Sequence, residues 1–206
     1  EYKYEKFNNP DFKILNKYFV EKDGKLFLKS NEISIDRNLY IPNGYEVIVK
    51  PNQKIILTNN AFIISNSSWT IGGKKGQTII TGEENNLGGG ILISDNIEVS
   101  KIQNTKFSYL TGINQSLIHE FLILGSINFH QTKAEITDVV FENIYSEDAI
   151  NIFRSSFKIK DNSYKNIISD AIDIDFSKGE ITSANFENVK NDAIDFSGSK
   201  AFIQNL

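Results

Sequence analysis

The chain has 206 residues, 22 Lys and Arg against 26 Asp and Glu, a net charge of −4, and neither cysteine nor methionine. The missing thiol excludes disulfides and thiolate-held metals, and the mild negative charge gives no reason to expect a nucleic acid partner. No apolar run approaches the ~20 residues that span a bilayer, so no membrane span is expected. No signal peptide opens the sequence and Met is absent even at position 1, as in a processed secreted chain or a fragment.

Residues 1–24 are the least regular stretch. Phe12, Leu15 and Phe19 fall at helix spacing after an Asn-Asn-Pro break, and Asp11 is placed to cap a short helix. A solenoid needs an end that covers its first open coil, and residues 1–24 are read as that N-terminal cap. From Lys25 the pattern changes to short alternating runs, KLFLKS, EISIDRNLYI, YEVIVK, KIILT, AFIIS and TIIT, separated by turn residues. Trp69 is expected to be partly core, and Gly88-Gly89-Gly90 to form a tight turn between coils, since no Lys-Ser pair follows to make it a phosphate cradle.

The last eighty residues repeat with a period of 22 to 23. Ile127, Ile150, Ile172 and Ile194 form one column, Phe129, Ile152, Ile174 and Phe196 a second, and Ile136, Ile159, Ile181 and Ile203 a third. Phe141, Tyr164 and Phe186 form a fourth, and Ser155, Ser177 and Ser199 recur 22 apart. A fixed period means each unit buries its apolar face only against its neighbours. Period-two alternation within each unit, as in Ala-Ile-Asp-Ile-Asp, is strand spacing, and predicts an all-β parallel β-helix over residues 25–206 with one coil per repeat. Phe107 and Phe141 occupy equivalent positions yet lie 34 apart, so an inserted loop is expected near 111–124, carrying His119 and Glu120.

Side chains alternate in a strand. If Ile172 and Ile174 face inward, then Asn128, Asn151, Asp173 and Asp195 form one outward ladder, with His130, Phe153, Asp175 and Ser197 beside it and Arg154, Lys178 and Lys200 near the strand ends. Asp173 and Asp195 would be vertical neighbours, and like charges so placed are destabilising. Three readings remain open: a shared proton making one carboxyl an acid and another a base, a hard cation such as Ca²⁺ among Asp173, Asp175 and Asp195, or solvated charges on an open face. No cofactor other than that cation is suggested. Asp148, Asp170 and Asp192 are expected to accept turn amides, and Asn143, Asn166 and Asn188 to bond along the axis.

The cadence ITSANFENVKNDAI at 181–194 resembles the right-handed parallel β-helix superfamily, and Asn143, Asn166 and Asn188 resemble the asparagine ladder of its pectate lyases. The resemblance is clearest over 125–206. It implies a single right-handed coil, and for function a lyase, hydrolase or uronate epimerase acting on acidic polysaccharide. It also implies a site on the outer face of one parallel sheet, with aspartates from successive coils. Asp173, Asp175 and Asp195 stand where acid and base, or calcium ligands, would stand, and Arg154 where a proton-abstracting base would. The Asn-Thr-Asp, Asp-Asp, Gly-His-Gly and Arg-Ile-Lys signatures of the pectin hydrolases are absent, so location and chemistry class carry over, not named catalytic residues.

The expectation is a secreted or cell-envelope protein that binds or modifies an acidic polysaccharide. Asp173, Asp175, Asp195, Arg154 and His130 are the candidate catalytic groups, and Asn128, Asn151 and Phe153 the candidate sugar contacts. The alternative is a non-catalytic structural or adhesion module of a larger surface protein. The run AFIQNL stops part-way through a coil, so further coils or end-to-end association are expected there.

Overall fold

The computed structural model describes residues 12–113 and 123–206. A short helix, α1 (Phe12–Tyr18), leads into strand β1 (Phe19–Lys22), which pairs antiparallel with β2 (Lys25–Leu28). The turn between them is Asp23-Gly24, both residues at positive φ, the geometry that a two-residue hairpin of matching twist requires. The expected stripe of Phe12, Leu15 and Phe19 does not form. Phe12 is exposed and Phe19 begins a strand, so the helix buries Leu15 and Tyr18, one turn apart. Both join the central core. Asp11, the expected cap, lies outside the described residues.

Beyond the hairpin every named strand pairs in parallel. Seven strands stack into a front sheet: β4 (Leu39–Ile41), β7 (Phe62–Ser65), β10 (Gly90–Ser94), β12 (Gly125–His130), β14 (Asp148–Phe153), β16 (Asp170–Asp175) and β18 (Ile194–Ser197). One strand per coil gives seven coils. The rest of each early coil is two short strands in succession: β2 then β3 (Glu32–Ile35), β5 (Glu46–Val49) then β6 (Lys54–Leu57), and β8 (Ser68–Gly72) then β9 (Thr78–Thr81). In β11 (Val99–Ser108) the two merge. Its first half pairs with β8 and its second with β9. The long strands β13 (Lys133–Ile144), β15 (Ser156–Ile167) and β17 (Lys178–Val189) follow, and β19 (Lys200–Gln204) closes this back sheet.

The coils from β12 to β17 turn their corners at single left-handed residues. Gln131, Arg154 and Phe176 end the front strands, Asp138, Asp161 and Ser183 bend the long strands, and Asn143, Asn166 and Asn188 make the third corner, all with φ between 48 and 65°. Asn is the non-glycine residue best suited to that region. It also supplies an amide, and Asn188 donates to Asn166 at 2.7 Å and Asn166 to Asn143 at 2.9 Å. Serine works similarly at the front corner, where the Ser155 and Ser177 backbone N–H groups donate to the hydroxyls of Ser177 and Ser199, both at 2.9 Å.

The core columns fall as the repeat dictates. Ile127, Ile150 and Ile172 pair in register with one another and with Ile194. Phe107, Phe141, Tyr164 and Phe186 stack with centroids 5.1–5.2 Å apart, close to the strand spacing. Phe107 pairs directly with Phe141, so the register of the back sheet continues across the longer interval between them. Trp69, expected to be partly core, is wholly buried. The tight turn at Gly88–Gly90 has a close approach: Gly90 has φ +96°, and a Cβ there would meet the Ser126 carbonyl oxygen at 2.4 Å. Among the described residues no helix is long and apolar enough to cross a membrane.

Candidate functional site

The outer face of the front sheet changes character along the axis. One outward column reads Tyr40, Ile64, Leu92, Asn128, Asn151, Asp173, Asp195. Its apolar part is covered: Ile113 and Ile123, flanking the insertion, pack on Phe62, Ile64 and Leu92, with Tyr40 against the cluster. Positions 114–122, with His119 and Glu120, lie outside the described residues.

The middle rungs do not form an open groove. Asn128 is wholly buried and folds back on the sheet. Its Oδ1 accepts from Gly125 N at 2.9 Å, and its amide donates to the carbonyls of Gly125 and Ile91 at 2.7 and 3.2 Å. Gly125 makes this possible, since a Cβ there would lie 2.9 Å from Asn128 Oδ1. Asn151 and His130 are each 3 % exposed. The expected sugar contacts Asn128 and Asn151, and the expected surface histidine, are therefore internal groups. A flat polar side chain between two strands is covered by its neighbours and satisfied by the backbone.

One coil further on, aspartate replaces Gly125. Asp148 pairs with Gly125 and Asp170 in register, is 2 % exposed, and turns its carboxyl toward Asn151. The Asn151 amide donates to Asp148 Oδ2 at 3.3 Å and to Asp173 Oδ2 at 2.6 Å. Its Oδ1 then faces His130 Nε2 at 3.0 Å, so the imidazole carries its proton on Nε2 and donates. Burial lowers the His130 pKa to about 4, and the ring is neutral. The result is a continuous chain, His130–Asn151–(Asp148, Asp173).

Burial first, then the charges of Asp173, Glu147 and Asp170, pushes Asp148 up to about 8. Burial, then Asp175 and Asp195, pushes Asp173 up to about 7. Asp175 is raised for the same two kinds of reason, burial and the Asp195 charge. Protons are therefore retained in this cluster near neutrality. Asp195, the vertical neighbour of Asp173, is exposed. In the same column Asp170, expected to accept from its own turn, instead accepts at Oδ1 from Asp192 N of the next coil at 2.8 Å, a bond along the axis. Asp148 is the functional candidate that sequence reasoning missed. Its signal was the change from Gly125 to Asp148 in a column whose next-but-two residue is an asparagine in both coils.

Two expected roles find no geometry. Among the described residues no three carboxylate or imidazole side chains converge as metal ligands, and one oxygen of Asp173 is already taken by Asn151. The residues at Asp173, Asp175 and Asp195 thus do not fit a calcium centre. Arg154 lies with its guanidinium 4.9 Å over the Phe153 ring, and none of the ion pairs among the described residues joins it to these aspartates.

Beside the carboxyl cluster runs an aromatic edge. Phe153 packs on His130 with centroids 5.3 Å apart and meets Phe176 edge-on at 6.0 Å. Phe176 is 60 % exposed at φ 48°, and its ring lies over Gly198 of the next coil, where a Cβ would sit 2.8 Å from it. A phenyl ring in a left-handed corner, backed by glycine and open to solvent, was not foreseen from the sequence, because the corner is visible only once the φ angles are known.

The protein is thus a parallel β-solenoid that carries proton-retaining carboxyl groups and an exposed aromatic edge on its front face. No protein-family model, curated protein or solved structure matches the chain at significance, and its resemblance to the parallel β-helix superfamily stands at the level of architecture.

Proposed function

We propose that the protein engages an acidic polysaccharide, outside the cell or in its envelope, on the outer face of the front sheet at coils five to seven. The observation that carries this reading is the Asp173 carboxyl, held by Asn151 and raised to about 7 beside the exposed Asp195. Sugars are recognised by aromatic faces against their C–H surfaces together with a few placed polar groups, and Phe153, Phe176, Asp175 and Asp195 supply both kinds. A carboxylic acid that keeps its proton near neutrality can protonate a glycosidic oxygen while an ionised neighbour serves as base or nucleophile. Asp173 takes the first role and Asp195 the second, and neutral His130 acts through Asn151 to position Asp173.

One observation favours a non-catalytic adhesion module instead: the patch keeps the 22-residue repeat unbroken, with Asp173 and Asp195 as ordinary rungs of a column. Asp173→Asn and Asp195→Asn, assayed on polyuronates for new chain ends and for binding, separate the two. Catalysis predicts at least about a hundredfold loss of turnover with binding kept and stability unchanged or raised by up to ~1 kcal/mol. A parent that binds the polymer without cleaving or altering it assigns adhesion. A parent that binds no acidic polysaccharide sinks both.

A further inference from the structure

Two columns of the back sheet alternate the sign of their surface charges from coil to coil. Lys101, Glu135, Lys158 and Glu180 succeed one another in register, with Lys158 and Glu180 paired at 3.6 Å. Glu142, Lys165 and Glu187 do the same, with Lys165 and Glu187 at 3.0 Å and Glu142 also held by Lys106. Alternation of this kind is what stacked strands favour.

The column nearest the front sheet breaks the rule. Lys133, Ser156, Lys178 and Lys200 succeed one another in β13, β15, β17 and β19 with no carboxylate among them. All four are exposed, and none of the three lysines is in an ion pair among the described residues. Where the column has Ser156, the same coil supplies Arg154 from the corner two residues earlier. Four successive coils therefore present one cation each, Lys133, Arg154, Lys178 and Lys200, at a rise of roughly 4.8 Å per coil. Phe176 stands on the same corner, its ring exposed.

We propose that this corner is a docking stripe for a linear anionic polysaccharide lying along the solenoid axis, its acid groups on the cations and a sugar face on Phe176. The proposal rests on the polysaccharide reading above for the polymer's class and adds where and how it is held. Like-charged neighbours cost stability, and a bound polyanion offsets that cost. One cation per coil suits a polymer with one charge per sugar. Duplex DNA carries one charge per ~1.7 Å of its axis, far denser than the stripe. The stripe also answers a difficulty on the front face, where a polyanion would meet Asp175 and Asp195: the acid groups rest on the adjoining corner.

The test is binding of sodium polygalacturonate to the parent and to Lys178→Ser/Lys200→Ser, which copies the Ser156 rung, with thermal unfolding as the check on folding. Phe176→Gly, which copies Gly198, is the second variant. The expected results are roughly tenfold weaker binding by the lysine variant with a shallower salt dependence, and weaker binding by Phe176→Gly with the salt dependence unchanged. Parent-like binding by the folded lysine variant overturns the stripe and leaves the front-face reading standing. Equal binding of neutral dextran, or tighter binding of duplex DNA than of polygalacturonate, overturns the choice of partner. A parent that binds no polyuronate overturns both readings.

Discussion

Asp148 shows how one residue sets the chemistry of its surroundings. It sits where Gly125 sits one coil earlier, and the carboxyl it adds shares the Asn151 amide with Asp173. Both carboxyls are raised, to about 8 and about 7, above the ordinary ~3.9 of an unfolded chain. The folded protein therefore holds protons that the unfolded chain releases, and their contribution to stability, full below about pH 4, is lost as pH rises toward 8. His130 has the opposite sign. Lowered to about 4, it contributes fully above ~6.5 and loses that contribution as pH falls. Most of the His130 contribution is in place by pH 6.5, so proton loss from the two aspartates dominates above it: stability should decline by about 1–2 kcal/mol between pH 6.5 and 8.5, and Asp148→Asn should flatten the decline. Urea unfolding at three pH values across that window measures both, and a parent that gains stability with pH there would contradict the assignment.

At the scale of an element, the third corner of each coil depends on asparagine for two separate reasons. Asn166 holds φ 54°, and its side chain accepts from Asn188 and donates to Asn143. Asn166→Gly keeps the backbone and loses the two bonds, a cost of about 1–2 kcal/mol. Asn166→Ala loses the bonds and also forces a Cβ into the left-handed region, adding about 1 kcal/mol. The ordering Ala worse than Gly, read from denaturant midpoints, distinguishes this corner from an ordinary turn, where alanine would be the milder change. Equal costs would mean that the backbone relaxes. The serine ladder at the front corner serves the adjacent coils in the same way, but through backbone N–H donors, so a hydroxyl suffices there.

The whole molecule is quasi-one-dimensional, each coil resting only on its neighbours. Burial along the columns records this. Ile136, Ile159 and Ile174 are fully buried, whereas in the last coil Ile203 is 38 % and Phe196 37 % exposed. Opening free energy should therefore fall along the stack. Amide exchange followed by mass spectrometry should show β18 and β19 exchanging first, β16 and β17 next, and β11–β15 with the strongest protection. Uniform protection to the last strand would mean that this surface is covered in solution, by another molecule or a further coil.

The repeat of 22 to 23 residues, the inward columns, the coil count at the C-terminal end and the Asn143–Asn166–Asn188 ladder were all legible in the sequence. A stack of identical coils makes local alternation and long-range register the same information, since a residue's neighbour in space is its counterpart one period away. What tertiary structure alone decided is which outward side chains meet solvent. The period-two rule places Asn128, Asn151, Asp173 and Asp195 on one face, but it cannot tell a side chain that lies flat and bonds its own strand from one that stands free. That difference rests on a missing Cβ at Gly125 and on the cover that Ile113 and Ile123 place over Ile64 and Leu92. The same limit hid the proton-retaining pair. A carboxyl's affinity for its proton is set by the water and charge around it, and the three-residue step from Asp148 to Asn151 becomes a contact only after the front strand has folded against its neighbours.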